Sequence, residues 1–180
     1  MDTCWFPDNS VIINFAVVDR LDLLRSCLHG QGRVVEAVHY EIGQSQSRVP
    51  HLHKLDREDW FGAPIRIEDA HEQRAVESMR KNRFGGEDRK PREHLGESQT
   101  LHVLRTDPAY AGSVWITEDR GAFRVAQAMG LIARDTRALL EELVAFGELS
   151  AQAAFEIAVQ MDQADRPLMR MPTAVRDLET

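Results

Sequence analysis

The chain has 180 residues, 43% of them hydrophobic, a composition typical of one folded domain with a sizeable core. Its 29 acidic and 22 basic side chains give a net charge of −7, which argues against binding nucleic acid through overall charge. Any nucleic-acid contact would therefore need a local basic patch. The acidic excess suits a carboxylate-rich metal site, although ordinary solubility is its commoner explanation.

The first residues and the apolar content predict a cytoplasmic protein. Residues 1–4 lack the basic region of a signal peptide, and no apolar run approaches the ~18 residues of a membrane-spanning helix. The two cysteines, Cys4 and Cys27, do not have the spacing of a metal site. We therefore expect buried, reduced thiols in a cytosolic protein.

The N-terminal half alternates short strands with helices. The predicted elements are a strand at 4–7, a helix capped by Asn9 or Ser10, a helix at 19–28, a very short strand at 33–35, a helix at 36–44, a loop at 45–53 and a strand at 64–68. The first strand ends in Asp8, and the helix at 36–44 carries Glu41 on the same side as its apolar positions.

The C-terminal half continues the same alternation. The predicted elements are a charged helix at 70–81, a mobile loop at 82–94, a helix at 97–106, a strand at 113–117, a helix ended by Gly130, a strand at 131–133, a helix capped by Thr136 and closed by Gly147, and a last helix capped by Ser150. Short strands that alternate with helices predict an α/β sandwich built on a parallel sheet.

Two predicted strands end in an aspartate that opens a helix, at Asp8 and at Asp119. In a parallel sheet both would emerge at the carboxyl edge, where sites form in α/β folds. Helix capping is nevertheless the commoner explanation of either aspartate alone. Glu41 and Glu97 are further candidates, although a glutamate beside apolar positions usually reaches solvent.

Four short motifs resemble, in order, those of a bacterial PIN domain. They are the Asp8-Asn9-Ser10-Val11 opening, the apolar approach to Glu41, the Gly96-Glu97-Ser98 helix start and the Thr117-Glu118-Asp119 strand end. Each is weak alone, but four in order over residues 4–148 are fairly specific. The resemblance implies a three-layer α/β/α sandwich with a central parallel sheet of four to five short strands. It also implies a PIN-like domain over 1–149, with a C-terminal helix and tail over 150–180 packed on that domain.

The resemblance also implies a metal-dependent endoribonuclease, similar to the toxins of type II toxin–antitoxin pairs. The implied catalytic acids are Asp8, Glu41, Glu97 and Asp119, and the implied ligands of Mg²⁺ or Mn²⁺ are Asp8, Glu97 and Asp119. The implied supporting residues are Ser10, Asn14, Thr117 and Glu118. The implied partners are RNA, a small antitoxin protein and a second copy of the chain, with no membrane.

A basic stretch supplies candidate RNA contacts, which are Arg80, Lys81, Arg83, Arg89, Lys90 and Arg92. Phosphate binding by such a cluster is salt-sensitive and carries no sequence information. A solvated loop explains the same residues equally well.

Two other readings stay open. The first is a PIN-like binding or scaffold protein with a weak or lost nuclease site. The second is a different doubly wound domain that binds a nucleotide, although such a domain usually has a glycine-rich loop where this chain has Asp8-Asn9-Ser10. The chain also departs from the family pattern at Pro7, which removes a backbone donor directly before the first acid.

Overall fold

The computed structural model describes residues 3–179, apart from the side chains of residues 56–58. Its sheet has three short parallel strands, β1 (Trp5–Pro7), β2 (Val114–Ile116) and β3 (Ile132–Arg134), in the order β1-β2-β3. Pro7 pairs with Ile116 and Ile116 with Arg134, so all three strands end at the same edge.

Nine α-helices occur in residues 3–179. They are α1 (Asn9–Val17), α2 (Leu21–Leu28), α3 (Glu36–Ser45), α4 (His53–Glu58), α5 (Ala70–Asn82), α6 (Leu95–Thr106), α7 (Arg120–Ala128), α8 (Thr136–Ala145) and α9 (Ala151–Gln163). Single 3₁₀ turns cover Pro50–Leu52, Pro108–Tyr110 and Val175–Leu178. The predicted α/β class with a parallel sheet is confirmed, but the sheet in the described residues has three strands instead of four to five.

Pro7 limits the backbone pairing between β1 and residues 31–35. The N–H of Trp5 donates to Gln31 O at 2.9 Å, and the carbonyl of Trp5 accepts from Arg33 N at 2.8 Å. Backbone groups alternate sides along a strand, so the next donor on this edge would come from Pro7, which has none. Pairing on this side is therefore limited to one bridge between Trp5 and Gly32.

The strands predicted at 33–35 and 64–68 are likewise reduced to one isolated parallel bridge, between Val35 and Ile65. Glu36 N donates to Ile65 O at 2.9 Å and Ile65 N donates to Val34 O at 2.9 Å. Both segments are extended here, but α3 begins at Glu36 and removes the residues that a longer ladder would need.

The core is centred on β2. Its three residues are buried, and Trp115 is the largest fully buried side chain in the described part of the chain. Phe6 of β1 and Phe15 of α1 are fully buried in the same cluster. Burying side chains of this size gives most of the stability of such a domain.

Several element boundaries differ from prediction. α1 is capped by Asp8 instead of Asn9 or Ser10, and α2 begins at Leu21 instead of residue 19. α8 is capped by Asp135, whose Oδ1 accepts from Ala138 N at 2.9 Å, whereas Thr136 is the first helical residue. α6 begins at Leu95, two residues before the predicted start. The loop predicted at 45–53 contains the 3₁₀ turn Pro50–Leu52, and α4, a helix that the sequence pattern does not predict, begins at its last residue, His53. In residues 3–179 the longest helices have 13 residues, and none has the length and apolar character needed to span a bilayer.

Candidate active site

Asp8 directly follows β1 and caps α1. Its Oδ1 accepts from Asn9 N at 2.8 Å, and Ser10 Oγ donates to its Oδ2 at 2.7 Å. The N–H of Asp8 donates to Ile116 O at 2.8 Å, which ties the residue to β2. Both carboxylate oxygens are therefore held at the carboxyl end of the central strands.

Asp119 repeats this arrangement after β2. It caps α7, with Oδ1 accepting from Ala122 N at 2.6 Å, and its own N–H donates to Thr117 Oγ1 at 3.1 Å. Thr117 is fully buried, so its hydroxyl has a fixed place below the aspartate. Because β1 and β2 are parallel and in register, Asp8 and Asp119 leave the sheet at one edge.

Glu41 and Glu97 reach the site from α3 and α6, which pack together. Gly96 lies at this contact, where a Cβ would be 3.0 Å from Val38 Cγ2 and 3.2 Å from Glu41 Oε1. Glu97 follows in the first turn of α6, and its Oε1 lies 3.2 Å from His94 Nδ1. The missing side chain at position 96 thus lets Glu41 approach the helix start that carries Glu97.

The electrostatics join the four acids into one group. Burial raises the pKa of Asp8 to about 6, with further increases from the charges of Glu97 and Asp119, while the hydrogen bonds from Ser10 and Asn9 oppose the rise. Burial also raises the pKa of Glu41 to about 8, and the charges of Asp8 and Glu97 add to it. Like charges raise each other's pKa only at short range. Asp8 therefore lies within electrostatic reach of Glu41, Glu97 and Asp119.

The donor set suits a hard divalent cation, since it consists of carboxylate oxygens held in a partly desolvated place. A cation there would offset the mutual repulsion and the burial that raise the pKa of Asp8 and Glu41. In the part of the chain that the structure describes, no group of three or more His, Cys, Asp or Glu side chains is arranged closely enough to hold a metal ion. The donor types therefore fit such a cation, and an ion that keeps several of its waters needs only one or two of these carboxylates as direct ligands.

Of the supporting residues, Ser10 and Thr117 contact the acids or their backbone, as the preceding distances show. Asn14 is buried one turn further along α1 and is engaged elsewhere. Its Nδ2 donates to Thr136 Oγ1 at 3.1 Å, and its Oδ1 accepts from Arg166 Nε at 2.9 Å. Asn14 therefore links α1 to the start of α8 and to Arg166, which follows α9.

Glu118 likewise links parts of the chain that are distant in sequence. Its Oε1 accepts from Thr136 N at 2.7 Å and its Oε2 accepts from Met169 N at 2.5 Å. Both oxygens are thus used to connect the end of β2 to the start of α8 and to the segment after α9. This differs from the metal-supporting role implied for Glu118, because its neighbour Asp119, and not Glu118, joins the acidic group.

Arg80 does not fit the predicted set of RNA contacts. Its side chain is only 1% exposed and pairs with Glu77, with Nε 2.8 Å from Oε2. Its Nη1 donates to the carbonyls of Glu87, Lys90 and Glu93 at 3.1 to 3.4 Å. The predicted loop is wrapped around this guanidinium, which therefore organises the loop and is not available to a phosphate.

The two lysines of the basic stretch are exposed but paired. Lys81 Nζ lies 3.3 Å from Glu77 Oε1 and also contacts Asp88, while Lys90 Nζ lies 3.1 Å from Glu93 Oε1. Surface ion pairs of this kind contribute little. Both ammonium groups could therefore exchange these partners for a phosphate at small cost.

Arg83, Arg89 and Arg92 are exposed. The guanidinium carbon of Arg92 lies 3.8 Å from the centre of the ring of Tyr40, the residue before Glu41. Arg92 therefore connects the basic stretch with the helix that carries one of the four acids. This contact makes Arg92 the member of the set best tied to the acidic group.

Asp135 is an acid that the sequence reasoning missed. It is fully buried at the carboxyl end of β3, beside the ends of β1 and β2. Arg170 donates to both of its oxygens, at 2.6 and 2.7 Å, so its charge is matched. The sequence signal for it is a third strand followed by Asp135-Thr136, in which the aspartate is the helix cap.

Two grooves in the described part of the chain are lined by other side chains. One of about 460 Å³ is lined by Ile42, Trp60 and Phe61 among others, and one of about 660 Å³ by Phe123, Arg134 and others. None of the four acids lines either groove.

Comparisons of this chain with protein-family models, with curated proteins and with solved structures found no match. What the chain does must therefore be argued from the acidic group and the residues around it.

Proposed function

We propose that this chain is a PIN-like, metal-dependent endoribonuclease that hydrolyses RNA phosphodiester bonds. The observation that carries the proposal is the meeting of Asp8, Glu41, Glu97 and Asp119, from four different elements, in one electrostatic group. Helix capping accounts for Asp8 and Asp119 separately, but it does not account for Glu41. A carboxyl whose pKa is raised to about 8 by burial opposes folding at neutral pH, and such groups are concentrated at functional sites.

In this proposal Asp8, Glu97 and Asp119 hold Mg²⁺ or Mn²⁺, and Glu41 adds a fourth negative charge. The bound ion would polarise a phosphate oxygen and lower the pKa of a water molecule. The chain's own contribution is to fix the acids: Ser10 and Asn9 hold Asp8, and the first turn of α7 holds Asp119. No histidine base is needed for this chemistry.

A local group of basic side chains supports RNA as the substrate class. With a net charge of −7, the chain can hold a polyanion only through a local group of cations. The exposed Arg83, Arg89 and Arg92, with the loosely paired Lys81 and Lys90, form such a group on the chain segment that leads into Glu97. We further propose that the chain is a toxin inhibited by a small antitoxin protein, and that it forms a homodimer. The resemblance of the four motifs is the sole support for these two points.

The test is cleavage of a fluorescent single-stranded RNA with Mg²⁺ or Mn²⁺, with and without EDTA. The comparison proteins are an Asp8→Asn, Asp119→Asn double variant and an Asp69→Asn control, which changes an exposed cap of α5 that is not one of the four acids. Cleavage that needs metal, persists in the control and is lost in the double variant supports the proposal. Absence of both cleavage and Mn²⁺ binding by calorimetry would contradict it and favour a PIN-like binding or scaffold protein.

A further inference from the structure

The segment after α9 lies across the carboxyl ends of the three strands. We call residues 166–170 the C-terminal strap. Met169 N donates to Glu118 Oε2 beyond β2, and Arg170 pairs with Asp135 beyond β3. The strap therefore contacts two of the strand ends through buried or half-buried acids.

Arg166 makes the third of these contacts, beyond β1. Its Nη2 donates to the carbonyl of Ser10 at 3.0 Å, and its Nε donates to Asn14 Oδ1 at 2.9 Å. Asn14 is 1% exposed, and its Nδ2 donates a hydrogen bond to Thr136 Oγ1 at the start of α8. Ser10 in turn donates its hydroxyl to Asp8 Oδ2 at 2.7 Å. One residue thus lies between Arg166 and a proposed metal ligand.

We propose that Arg166 is a positioning residue for Asp8, acting through Ser10 and Asn14. A guanidinium presents several donors in a rigid plane, so it can hold two acceptors on successive turns of α1 at a fixed separation. This fixes the turn of α1 that orients the Asp8 carboxylate. The inference rests on the proposed nuclease function, and it makes the strap part of the active site.

Contacts other than those of Arg166 attach the strap to the rest of the domain. Arg170 pairs with Asp135, Met169 bonds to Glu118, and Arg120 Nη2 donates to Met169 O at 3.2 Å. These bonds hold the strap without Arg166. The two bonds of Arg166 add order to α1, and reacting groups displaced by ~1 Å can lose ~100-fold in rate.

The test compares Arg166→Gln and Arg166→Lys with wild type. The matched control is Arg137→Gln, which breaks another bond to the C-terminal segment, from Nη2 to Asp177 O, together with an ion pair to Glu141. We expect Arg166→Gln to lower kcat for RNA by ~10-fold or more with KM changed less than ~2-fold, and Arg166→Lys to lie between it and wild type. Arg137→Gln should keep the wild-type kcat.

A second measurement does not depend on activity. Hydrogen exchange of the metal-free proteins should show faster exchange in the first turn of α1, at residues 9–12, in Arg166→Gln but not in Arg137→Gln. Should Arg166→Gln fail to fold, Arg166→Lys takes its place in both measurements, with kcat expected at a third of wild type or less.

Two results overturn the inference. The first is an unchanged kcat together with unchanged exchange in α1. The second is a raised KM with an unchanged kcat, which would make Arg166 an RNA contact. If wild type itself cleaves no RNA and binds no Mn²⁺, the proposed function fails first, and the positioning role fails with it.

Discussion

Ser10 Oγ lies 2.7 Å from Oδ2 of Asp8 and donates a hydrogen bond to a carboxylate whose ionisation is disfavoured by burial. This bond lowers the pKa of Asp8, whereas burial and the charges of Glu97 and Asp119 raise it, to a net value of about 6. The hydroxyl thus helps to keep Asp8 ionised near neutral pH. An ionised carboxylate is what a divalent cation requires.

The aspartates can be neutralised without loss of their caps. Asparagine caps a helix about as well as aspartate, so Asp8→Asn and Asp119→Asn should each change the free energy of unfolding by less than about 1 kcal/mol. Each should lower RNA cleavage by more than the roughly 10- to 100-fold typical of residues that only support metal ligands. Denaturation curves and initial rates check this, with Asp69→Asn as the control. Wild-type cleavage by both variants would contradict the site.

Glu41 should make the metal-free protein less stable as pH rises. Its pKa is raised from 4.5 to about 8, so the folded state binds this proton more tightly than the unfolded state. The resulting stabilisation is complete below pH 4.5 and is lost as pH rises through 8. Glu41→Gln should therefore be more stable than wild type at pH 8, by roughly 1–3 kcal/mol, and about equal to it near pH 4.5.

Urea denaturation at the two pH values, in EDTA, measures this difference. Asp8 adds a similar trend between pH 3.8 and about 6 in both proteins, so the comparison at pH 8, above that range, reports chiefly on Glu41. A Glu41→Gln variant that is less stable than wild type at pH 8 would show that the ionised carboxylate has a favourable partner.

Divalent metal should stabilise the folded chain. A ligand at 100 times its dissociation constant adds about 2.7 kcal/mol to the free energy of unfolding. We expect Mn²⁺ to raise Tm more at pH 8 than at pH 5, because protons compete for the raised Asp8 and Glu41 carboxyls. Glu97→Gln should reduce the gain and EDTA should reverse it. An equal gain in Glu97→Gln would remove Glu97 from the ligand set.

Gly96 offers a geometric test of the contact between α3 and α6. In Gly96→Ala the new Cβ would lie 3.0 Å from Val38 Cγ2 and 3.2 Å from Glu41 Oε1, so Glu41 or α6 must shift. We expect lower stability by roughly 1–2 kcal/mol and slower RNA cleavage. Gly43→Ala is the matched control, because it lies in α3 with nothing within 4 Å of its Cβ, and alanine should stabilise that helix by ~0.5–1 kcal/mol. Equal activity in the two variants would contradict this geometry.

Two arginines of the basic stretch should behave in opposite ways. Arg80→Ala removes the donors that hold three carbonyls of the loop, so it should lower the free energy of unfolding by roughly 1–3 kcal/mol. Arg89→Ala should leave stability unchanged, weaken RNA binding and reduce the salt dependence of that binding. Fluorescence anisotropy at several salt concentrations checks the second variant. An Arg89→Ala variant with the wild-type salt dependence would place the RNA elsewhere.

The sequence predicts the parts of this site that are local in the chain. A strand, an acid and a helix start are adjacent residues at Asp8 and at Asp119, so their pattern is visible without any tertiary contact. Besides the carboxylate of Glu77, the partners of Arg80 are backbone carbonyls of the loop, which no side-chain pattern reveals, so the sequence alone predicts an exposed cation. The bond from Arg166 to Asn14 joins positions 152 apart, and its segment has no periodicity that could reveal it.

The 152 positions between Asn14 and Arg166 determine how long after Asn14 the arginine is synthesised. A ribosome adds about 5 to 20 residues per second, so Arg166 follows Asn14 after roughly 8 to 30 s, given the 152 positions between them. For all of that time the helix carrying Ser10 and Asn14 is without the guanidinium that we propose fixes it. A nuclease built in this way would remain unfinished until the codons for these 152 positions had been translated.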